Sequence, residues 1–386
     1  MDYFKGYRRP DGGGGIRNHV IVMSSVVCAN GVVNQIAREA PDAVPITHQE
    51  GCGRGPMDIE LIVRTLTNLG KNANVAAVVV VGLGCEWIRA ELLANGIAES
   101  KRPVEYLDIQ KTGGSRKSIK AGVRLANKFL VEARKQKRKK FSLDNLVMGL
   151  QCGGSDAFSG VTANPAVGLA SDWLVQQGGT VILTENTEMI GTSPILERRA
   201  VNSQIAKEVA ELIAREKELT EEHLGPLASL VISPGNMDGG MSCIEEKSLG
   251  CIIKGGTTPI TQVVKYGEIP TSKGLVIMDA PGSDVYSITG EVAGGAHLIL
   301  FTTGRGTPVG FPIAPVIKIA SNSKLYRSLP GDLDINAGAI LDEGKTLPEI
   351  GDELIAFIRR VLDGKRPKAE INGQGVLAIQ TRGPVF

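Results

Sequence analysis

An unbroken apolar run at residues 75–81 is the feature that most limits how this chain can fold. Valines make up most of it, and such a β-branched run is typical of a parallel strand that is buried on both faces. Other apolar runs end in glycine and polar residues, at residues 20–23, 146–148, 179–183, 274–278 and 297–301. Segments with helical spacing lie between them. This alternation predicts an α/β fold with a parallel sheet.

Length and charge pattern indicate two domains. The chain has 386 residues, which is enough for two hydrophobic cores. A basic run at residues 134–140 is typical of a solvated helix end or a linker, and an apolar strand follows it. We therefore predict a smaller α/β domain over residues 1–140 and a larger domain over residues 141–386.

The composition excludes several classes of protein. Basic and acidic residues nearly balance, at 43 and 41, so the sequence predicts no nucleic-acid partner. No apolar stretch reaches the roughly 18 residues that a membrane helix needs, and the first residues lack the apolar region of a signal peptide. We expect a cytoplasmic protein without a membrane partner. Its six cysteines are then free thiols or metal ligands rather than disulfides.

A chemically rich stretch follows the predicted strand at residues 146–148. It offers a thiol, a hydroxyl, a carboxylate and an amide, from Cys152, Ser155, Asp156 and Asn164. Gly153 and Gly154 leave backbone N–H groups open to a ligand. Because ligands bind at the carboxyl ends of strands in open α/β sheets, we predict that the active site lies here.

Charged residues after two further strands extend the predicted site. Glu185 and Glu188 follow one buried strand, and their carboxylates, with that of Asp156, suit a hard divalent cation. A charge at a helix N-terminus is the alternative for Glu188. Arg305 lies between two glycines after another strand. A guanidinium in such a place suits a substrate carboxylate, because it can bind both oxygens.

Three cysteines, Cys52, Cys85 and Cys152, stand beside glycines at the ends of three segments. If the segments are neighbouring strands, the three thiolates could hold a soft metal or an iron–sulfur cluster with one open iron. Small buried cysteines are the alternative, since no CxxC spacing is present. His48, four residues before Cys52, is a candidate ligand or base, or a structural histidine. The glycine runs match no nucleotide fingerprint, which disfavours a nicotinamide enzyme.

Seven motifs occur from one end of the chain to the other, at residues 6–18, 48–52, 82–86, 150–165, 185–191, 235–254 and 301–307. Together they resemble the altronate dehydratase and galactarate dehydratase family of sugar-acid lyases. The resemblance implies dehydration of a hexonate or hexarate to a 2-keto-3-deoxy acid, helped by a divalent metal such as Fe2+ or Mn2+. It also implies a Rossmann-like parallel sheet with an unusual crossover, plus a smaller N-terminal α/β domain that helps a homodimer to form.

The implied reaction gives roles to the candidate residues. A β-elimination needs a base for the α-proton and a group that stabilises the enediolate, and a divalent cation does the latter as a Lewis acid. The expected metal ligands are Asp156, Glu185 and Glu188, with Cys152, Cys52, Cys85 or His48 as further ligands. The expected catalytic residues are Lys247 or His48 as the base, with Ser155 and Asp156. Substrate contacts are expected from Arg305, Asn164, Gly153 and Gly154, and the backbone of residues 153–155 would donate hydrogen bonds to oxyanions.

The sequence leaves three alternatives open. Members of the family carry a further small N-terminal β-rich domain, so we expect that a separate small subunit supplies it or that this protein works without it. The related sulfolactate sulfo-lyase large subunit has such a two-chain arrangement, and a carbon–sulfur lyase is therefore one alternative. The others are a non-catalytic sugar-acid-binding subunit that needs a β-rich partner, and an iron–sulfur dehydratase with its cluster on Cys52, Cys85 and Cys152. The motifs at 48–52 and 82–86 favour the dehydratase.

Overall fold

The structure, a computed structural model, describes residues 3–386, except for the side chains of residues 229 and 230. The described strands are β1 (Tyr3–Arg8), β2 (Gly14–Gly15), β3 (His19–Ser24), β4 (Ala43–Ile46), β5 (Val75–Gly82), β6 (Val104–Asp108), β7 (Lys139–Ser142), β8 (Val147–Cys152), β9 (Thr180–Leu183), β10 (Ile260–Val264), β11 (Gly274–Met278), β12 (Leu298–Thr303), β13 (Val316–Ala320) and β14 (Ile335–Asn336).

The described α-helices are α1 (Asn30–Glu39), α2 (Pro56–Lys71), α3 (Ala90–Ala98), α4 (Ile109–Thr112), α5 (Ser115–Lys135), α6 (Ala163–Gln176), α7 (Ser193–Glu197), α8 (Ser203–Leu224), α9 (Pro234–Asp238), α10 (Ile244–Cys251), α11 (Asp284–Ala293), α12 (Ser323–Ser328), α13 (Ala339–Asp342), α14 (Leu347–Leu362) and α15 (Lys368–Ile371). Short 3-10 helices occur at Val27–Ala29, Leu143–Asn145, Asn186–Met189, Gly225–Leu230 and Ile252–Gly255. No helix within residues 3–386 combines the length and the apolar character that crossing a bilayer requires.

The smaller parallel sheet has the strand order β4–β3–β5–β6. Alternate residues of β3 and β5 pack against α1 and α5 on one face and against α2 and α3 on the other. Every residue of β5 is buried, which confirms the prediction from the valine-rich run. The run carries no polar alternation because helices cover both of its faces.

The larger parallel sheet has the order β10–β11–β9–β8–β12–β13–β14. The chain enters at the central strand β8, continues to β9 and then to the edge strand β10, and β11 fills the place between β10 and β9. It then returns to β12, beside β8, and moves outward through β13 and β14. This is the Rossmann order with β10 added at one edge, so the predicted fold class is confirmed. The order reverses between β8 and β12, where such sheets form a ligand crevice.

The connection from β10 to β11, residues 265–273, contains no helix. Parallel neighbours usually need a longer crossover that includes one. Here the turn packs instead on α2, which covers one face of the smaller parallel sheet. The side chains of Arg64 and Asn68 in α2 donate hydrogen bonds to the carbonyl oxygens of Tyr266 and Gly267, at 3.0 and 2.9 Å. These contacts attach the edge of the larger sheet to α2.

A third sheet, with the order β2–β1–β7, is antiparallel and joins the beginning of the chain to the segment between the two parallel sheets. The rings of Phe4 and Phe141 stack with centroids 5.7 Å apart and enter the core of the larger unit. The predicted boundary at residue 140 falls within β7, and the division into residues 1–140 and 141–386 stays a prediction.

Candidate functional site

Backbone hydrogen bonds join the loops that follow β8 and β12 at the reversal of strand order. The Gly153 N–H donates to the Thr302 carbonyl at 2.9 Å, and the N–H groups of Gly304 and Arg305 both donate to the Gly154 carbonyl, at 2.7 and 3.0 Å. A Cβ on Gly153 would lie 2.6 Å from the Phe301 ring, so only glycine fits. The Gly153 N–H is therefore not available to a substrate oxyanion, contrary to the expectation from the sequence.

Glu185 is a fully buried carboxylate directly beneath this loop. It accepts hydrogen bonds from the Gln151 side chain (2.6 Å), the Cys152 N–H (2.9 Å) and the Lys254 ammonium group (2.6 Å). Its backbone is left-handed, with φ +72°, which for a residue other than glycine costs about 1–3 kcal/mol. Burial, and then the nearby Glu188 carboxylate, raise the pKa of Glu185 well above its ordinary value, against the effect of Lys254. Glu185 is thus fixed by three donors and holds Lys254 in place.

Glu188 forms the second carboxylate–ammonium pair, with Lys247 of α10. The Lys254 ammonium lies 3.7 Å from its other oxygen. Burial opposes ionisation of Glu188, but Lys247 and Lys254 outweigh burial and lower its pKa. Burial also works against the charge of Lys247, yet Glu188 and Cys152 raise the pKa of Lys247 above its ordinary value. Lys247 is therefore protonated at neutral pH, which fits a proton donor and not the base expected from the sequence.

Two thiols complete the cluster. The Cys251 Sγ donates a hydrogen bond to the Cys152 Sγ at 3.7 Å, and the Ser155 hydroxyl lies 2.9 Å from the same sulfur. The hydrogen bond from Cys251, with the charges of Lys254 and Lys247, outweighs burial and lowers the pKa of Cys152 to about 6. The same bond and burial raise the pKa of Cys251. At neutral pH this pair is therefore one thiolate and one thiol.

The ligand atoms of Cys152, Glu188 and Cys251 all lie within 4.8 Å of one another, and no other set of three His, Cys, Asp or Glu side chains does so within residues 3–386. Thiolate ligands favour softer cations, whereas Mn2+ is matched by carboxylates. The donor set therefore suits a cation softer than Mn2+. Both Glu188 oxygens are buried; one contacts the Lys247 ammonium group, and the other lies 3.7 Å from that of Lys254.

Asp156 does not belong to this cluster of ligand atoms. Its carboxylate accepts hydrogen bonds from Ser159 (2.7 Å) and Asn322 (2.9 Å) and lines a cavity of about 590 Å³. Arg305 lines the same cavity, with its side chain 45% exposed and its guanidinium 3.9 Å from the Asp238 carboxylate. Lys324 and Arg327 of α12 add two more cationic side chains to the lining. The structure thus brings Asp156 and Arg305 together in one cavity of mixed charge, which Asp342 also lines.

His48 and Asn164 have structural contacts. The Nδ1 atom of His48 accepts from the Glu50 N–H (3.1 Å), so Nε2 donates to the Ser24 carbonyl (2.8 Å), and burial lowers the pKa of the ring. Both ring nitrogens are occupied, which leaves neither for a metal or a proton. The Asn164 side chain accepts from Thr302 at 2.7 Å and donates to the carbonyl of Gly250 at 3.0 Å. It holds α10 against β12 and so positions Lys247.

Cys52 and Cys85 do not join Cys152. They are exposed and lie in loops that follow β4 and β5 of the smaller sheet, whereas Cys152 ends β8 of the larger sheet. Each cysteine follows a strand, as the sequence indicates, but the strands belong to different sheets.

Three residues of the site were missed from the sequence: Cys251, Lys254 and Asp284. Cys251 and Lys254 follow Lys247 by four and seven residues, a spacing that places all three on one face of a helix. This spacing could have predicted that Cys251 and Lys254 lie near Lys247. Asp284 begins α11 after β11 and accepts a hydrogen bond from Gln151 at 3.2 Å. Burial, and then Glu188 and Cys152, raise the pKa of Asp284 to about 6.

Comparison with known proteins places this geometry in a family. Residues 143–385 match the D-galactarate/altronate dehydratase C-terminal domain, and residues 6–134 match the D-galactarate dehydratase/altronate hydrolase second domain. Altronate dehydratase of Bacillus subtilis (strain 168) is 37% identical, over 98% of this chain and 78% of that protein.

Two further relatives are similar over nearly the whole chain. Galactarate dehydratase (L-threo-forming) of Escherichia coli (strain K12) is 37% identical, over 94% of this chain and 73% of that protein. The (2R)-sulfolactate sulfo-lyase subunit beta of Chromohalobacter salexigens is 32% identical, over 96% of this chain and 95% of that subunit. The chain therefore belongs to the D-galactarate and altronate dehydratase family of lyases.

Proposed function

We propose that this lyase removes water from a hexonate or hexarate and yields a 2-keto-3-deoxy acid. The observation that carries the proposal is the pair of lysine–glutamate contacts, Lys247–Glu188 and Lys254–Glu185, beside the Cys152 thiolate at the reversal of strand order. Relatives named altronate dehydratase and galactarate dehydratase support the substrate class.

Arg305 is proposed to hold the substrate carboxylate. Of the three cationic side chains that line the cavity, Arg305 is the one that follows directly on β12. Its one ion pair within the described residues is a loose one with Asp238, at 3.9 Å. A carboxylate ligand would make a bidentate, shorter contact in its place. Asp156 and Asn322, in the same cavity, offer oxygen and amide partners for the substrate hydroxyls.

Asp284 and Lys247 are proposed to move the two protons. The Asp284 carboxylate, with a pKa of about 6, suits a general base near neutral pH and takes the proton from the carbon next to the substrate carboxylate. The electron pair of that bond then forms the double bond and expels the β-hydroxyl, to which Lys247 gives its proton. Water and an enol result, and the enol tautomerises to the 2-keto acid. Lys254, fixed by Glu185, stabilises the developing negative charge.

Cys152, Glu188 and Cys251 are the residues that would hold a divalent cation. Such a cation supplies Lewis-acid stabilisation of a substrate oxygen. This assignment differs from the ligand set expected from the sequence in two ways: Cys251 enters, and Glu185 and Asp156 are engaged elsewhere.

The test is turnover of D-altronate and galactarate by the anaerobically purified chain with Fe2+ or Mn2+, followed through the 2-keto-3-deoxy product. We expect Asp284→Asn and Lys247→Met to lose at least about a hundredfold in kcat, since general acid–base groups contribute about that much. Asp352→Asn and Lys207→Met change exposed residues and are the matched controls. Full activity of both site variants would overturn the proposal.

A carbon–sulfur lyase is the second candidate, favoured by the match to 95% of the sulfo-lyase subunit. Both reactions eliminate a group β to a carboxylate, so the same residues serve either one. Release of sulfite from (2R)-sulfolactate, assayed with the chain alone and with a small β-rich partner, separates the two reactions. The same pair of assays shows whether a separate subunit is required. The homodimer that the family resemblance implies is tested by light scattering.

A further inference from the structure

Three cysteines lie at one edge of the smaller sheet. Cys28 follows β3, Cys52 follows β4 and Cys85 follows β5, and these three strands are adjacent in the sheet. Because the strands are parallel, the three residues stand at the same carboxyl edge. All three are exposed and free, whereas Cys152 and Cys251 are buried. We propose that Cys28, Cys52 and Cys85 bind an iron–sulfur cluster at this edge.

Hydrogen bonds tie the three cysteine loops to one another in pairs. The Val27 N–H, next to Cys28, donates to the Glu50 carbonyl at 2.9 Å, and Glu50 lies two residues before Cys52. The Ser25 hydroxyl donates at 2.9 Å to the carboxylate of Glu86, the residue after Cys85.

A third bond closes the ring of loops. The Ile88 N–H donates at 3.3 Å to the carbonyl of Gly51, the residue before Cys52. Gly51 also brings the first two loops into contact, because a Cβ there would lie 2.4 Å from the Ser25 carbonyl oxygen, and its φ is +117°. The three thiols are thus presented on loops whose backbones are fixed relative to one another.

Cys85 has a further property of a cluster ligand. Its Sγ accepts a hydrogen bond from the Gln110 side-chain amide at 3.6 Å. Hydrogen bonds to ligand sulfurs tune the reduction potential of protein clusters and orient the ligands. Gln110 comes from α4, which follows β6, so all four strands of the sheet contribute to this edge.

The three thiols are not gathered closely enough to hold one metal ion between them. They are not among the side chains whose ligand atoms meet within 4.8 Å in residues 3–386. A single ion gathers all of its ligand atoms around one centre, whereas each iron of a cluster binds its own thiolate, which sets the sulfurs further apart. Three thiolates on a cluster of four irons leave one iron without a protein ligand, open to water or to a ligand oxygen.

This assignment replaces Cys152 with Cys28 in the trio that the sequence suggested, and it does not depend on the proposed dehydration. The test uses the whole chain, reconstituted anaerobically with Fe2+ and sulfide, and measures visible absorbance, iron and acid-labile sulfide. We expect about four acid-labile sulfides per chain, and about four irons in the cluster in addition to any Fe2+ bound at Cys152, Glu188 and Cys251. The variants Cys28→Ser, Cys52→Ser and Cys85→Ser should each lose most of the cluster, while Cys243→Ser and Cys152→Ser should keep it.

Alkylation of the wild-type chain provides a second measurement that needs no variant. Loading should protect Cys28, Cys52 and Cys85 from a thiol reagent and leave Cys243 reactive, as read by mass spectrometry. Retention of the cluster in Cys28→Ser together with its loss in Cys152→Ser would overturn the assignment, as would a wild-type chain that takes up no sulfide. None of these readouts uses turnover, so a failed dehydratase assay and a failed cluster assay are distinguishable.

Discussion

The Lys254 ammonium lies 2.6 Å from the Glu185 carboxylate, and each side chain is 1% exposed. Such a pair costs desolvation energy on both sides and is tolerated only when further hydrogen bonds complete it. Glu185 has them, from Gln151 and the Cys152 backbone, so the pair joins the ends of β8 and β9 to the 3-10 helix Ile252–Gly255. The cluster therefore stabilises the fold in addition to supplying chemical groups.

Removal of one member of that pair should therefore destabilise the protein more than removal of both. Lys254→Met leaves the Glu185 carboxyl buried without its partner, and we expect a loss of about 3–5 kcal/mol in the free energy of unfolding. The double variant Glu185→Gln, Lys254→Met should recover part of that loss, as measured by urea unfolding. If Lys254→Met were as stable as the wild type, the Lys254 and Glu185 side chains could not be paired in solution.

Arg305 should act on substrate binding and not on the chemical step. Arg305→Gln removes a charged, bidentate contact, which is worth about 1.5–3 kcal/mol, so KM for a hexonate should rise by about tenfold or more with kcat nearly unchanged. Arg305→Lys should recover only part of the loss, since an ammonium group cannot bind both oxygens. Arg198→Gln, at an exposed position, is the control. A fall in kcat at constant KM would assign Arg305 to the transition state instead.

The strands could be predicted from the sequence because their burial depends on local composition. The wholly apolar run in β5 and the glycines after β8 and β12 already indicate buried strands and ligand loops. The membership of Cys52 and Cys152 in different sheets could not be predicted, because strand pairing is decided by contacts that are distant in the sequence.

The charge states could not be predicted from the sequence either. The raised pKa of Lys247 depends on Glu188, which reaches it only when α10 packs on the 3-10 helix Asn186–Met189. His48 shows the same limit. Its loop position suggests a ligand, and only the fold reveals that Ser24 and Glu50 occupy both of its nitrogens.

Gly304 should tolerate no side chain. A Cβ there would lie 2.3 Å from the Asp156 Cγ, and Asp156 is held by Ser159 and Asn322 and cannot move away freely. We expect Gly304→Ala to cost about 1–3 kcal/mol in thermal unfolding, as overpacking does. Gly331→Ala is the matched control, since nothing lies within 4 Å of its added Cβ. Equal stabilities of the two variants would contradict the packing described for Asp156.

Glu291 should make the stability of the protein fall as the pH rises. Burial raises the pKa of this carboxyl from 4.5 to about 8, partly offset by hydrogen bonds to Oε1 from the Leu150 N–H and from Thr184, while Oε2 has no partner within the described residues. The folded chain therefore binds a proton that the unfolded chain releases above pH 4.5.

The contribution of Glu291 is fully present below pH 4.5 and is lost as the pH rises through 8. Each unit of pKa difference is worth about 1.4 kcal/mol, so the loss across this range is on the order of a few kcal/mol. Glu291→Gln, which cannot ionise, should flatten this part of the profile and make the variant the more stable protein at pH 9, by urea unfolding at a series of pH values. Glu222→Gln, at an exposed position, should leave the slope unchanged. If the wild type and Glu291→Gln had parallel profiles, the Glu291 carboxyl would have to be ionised in the folded protein.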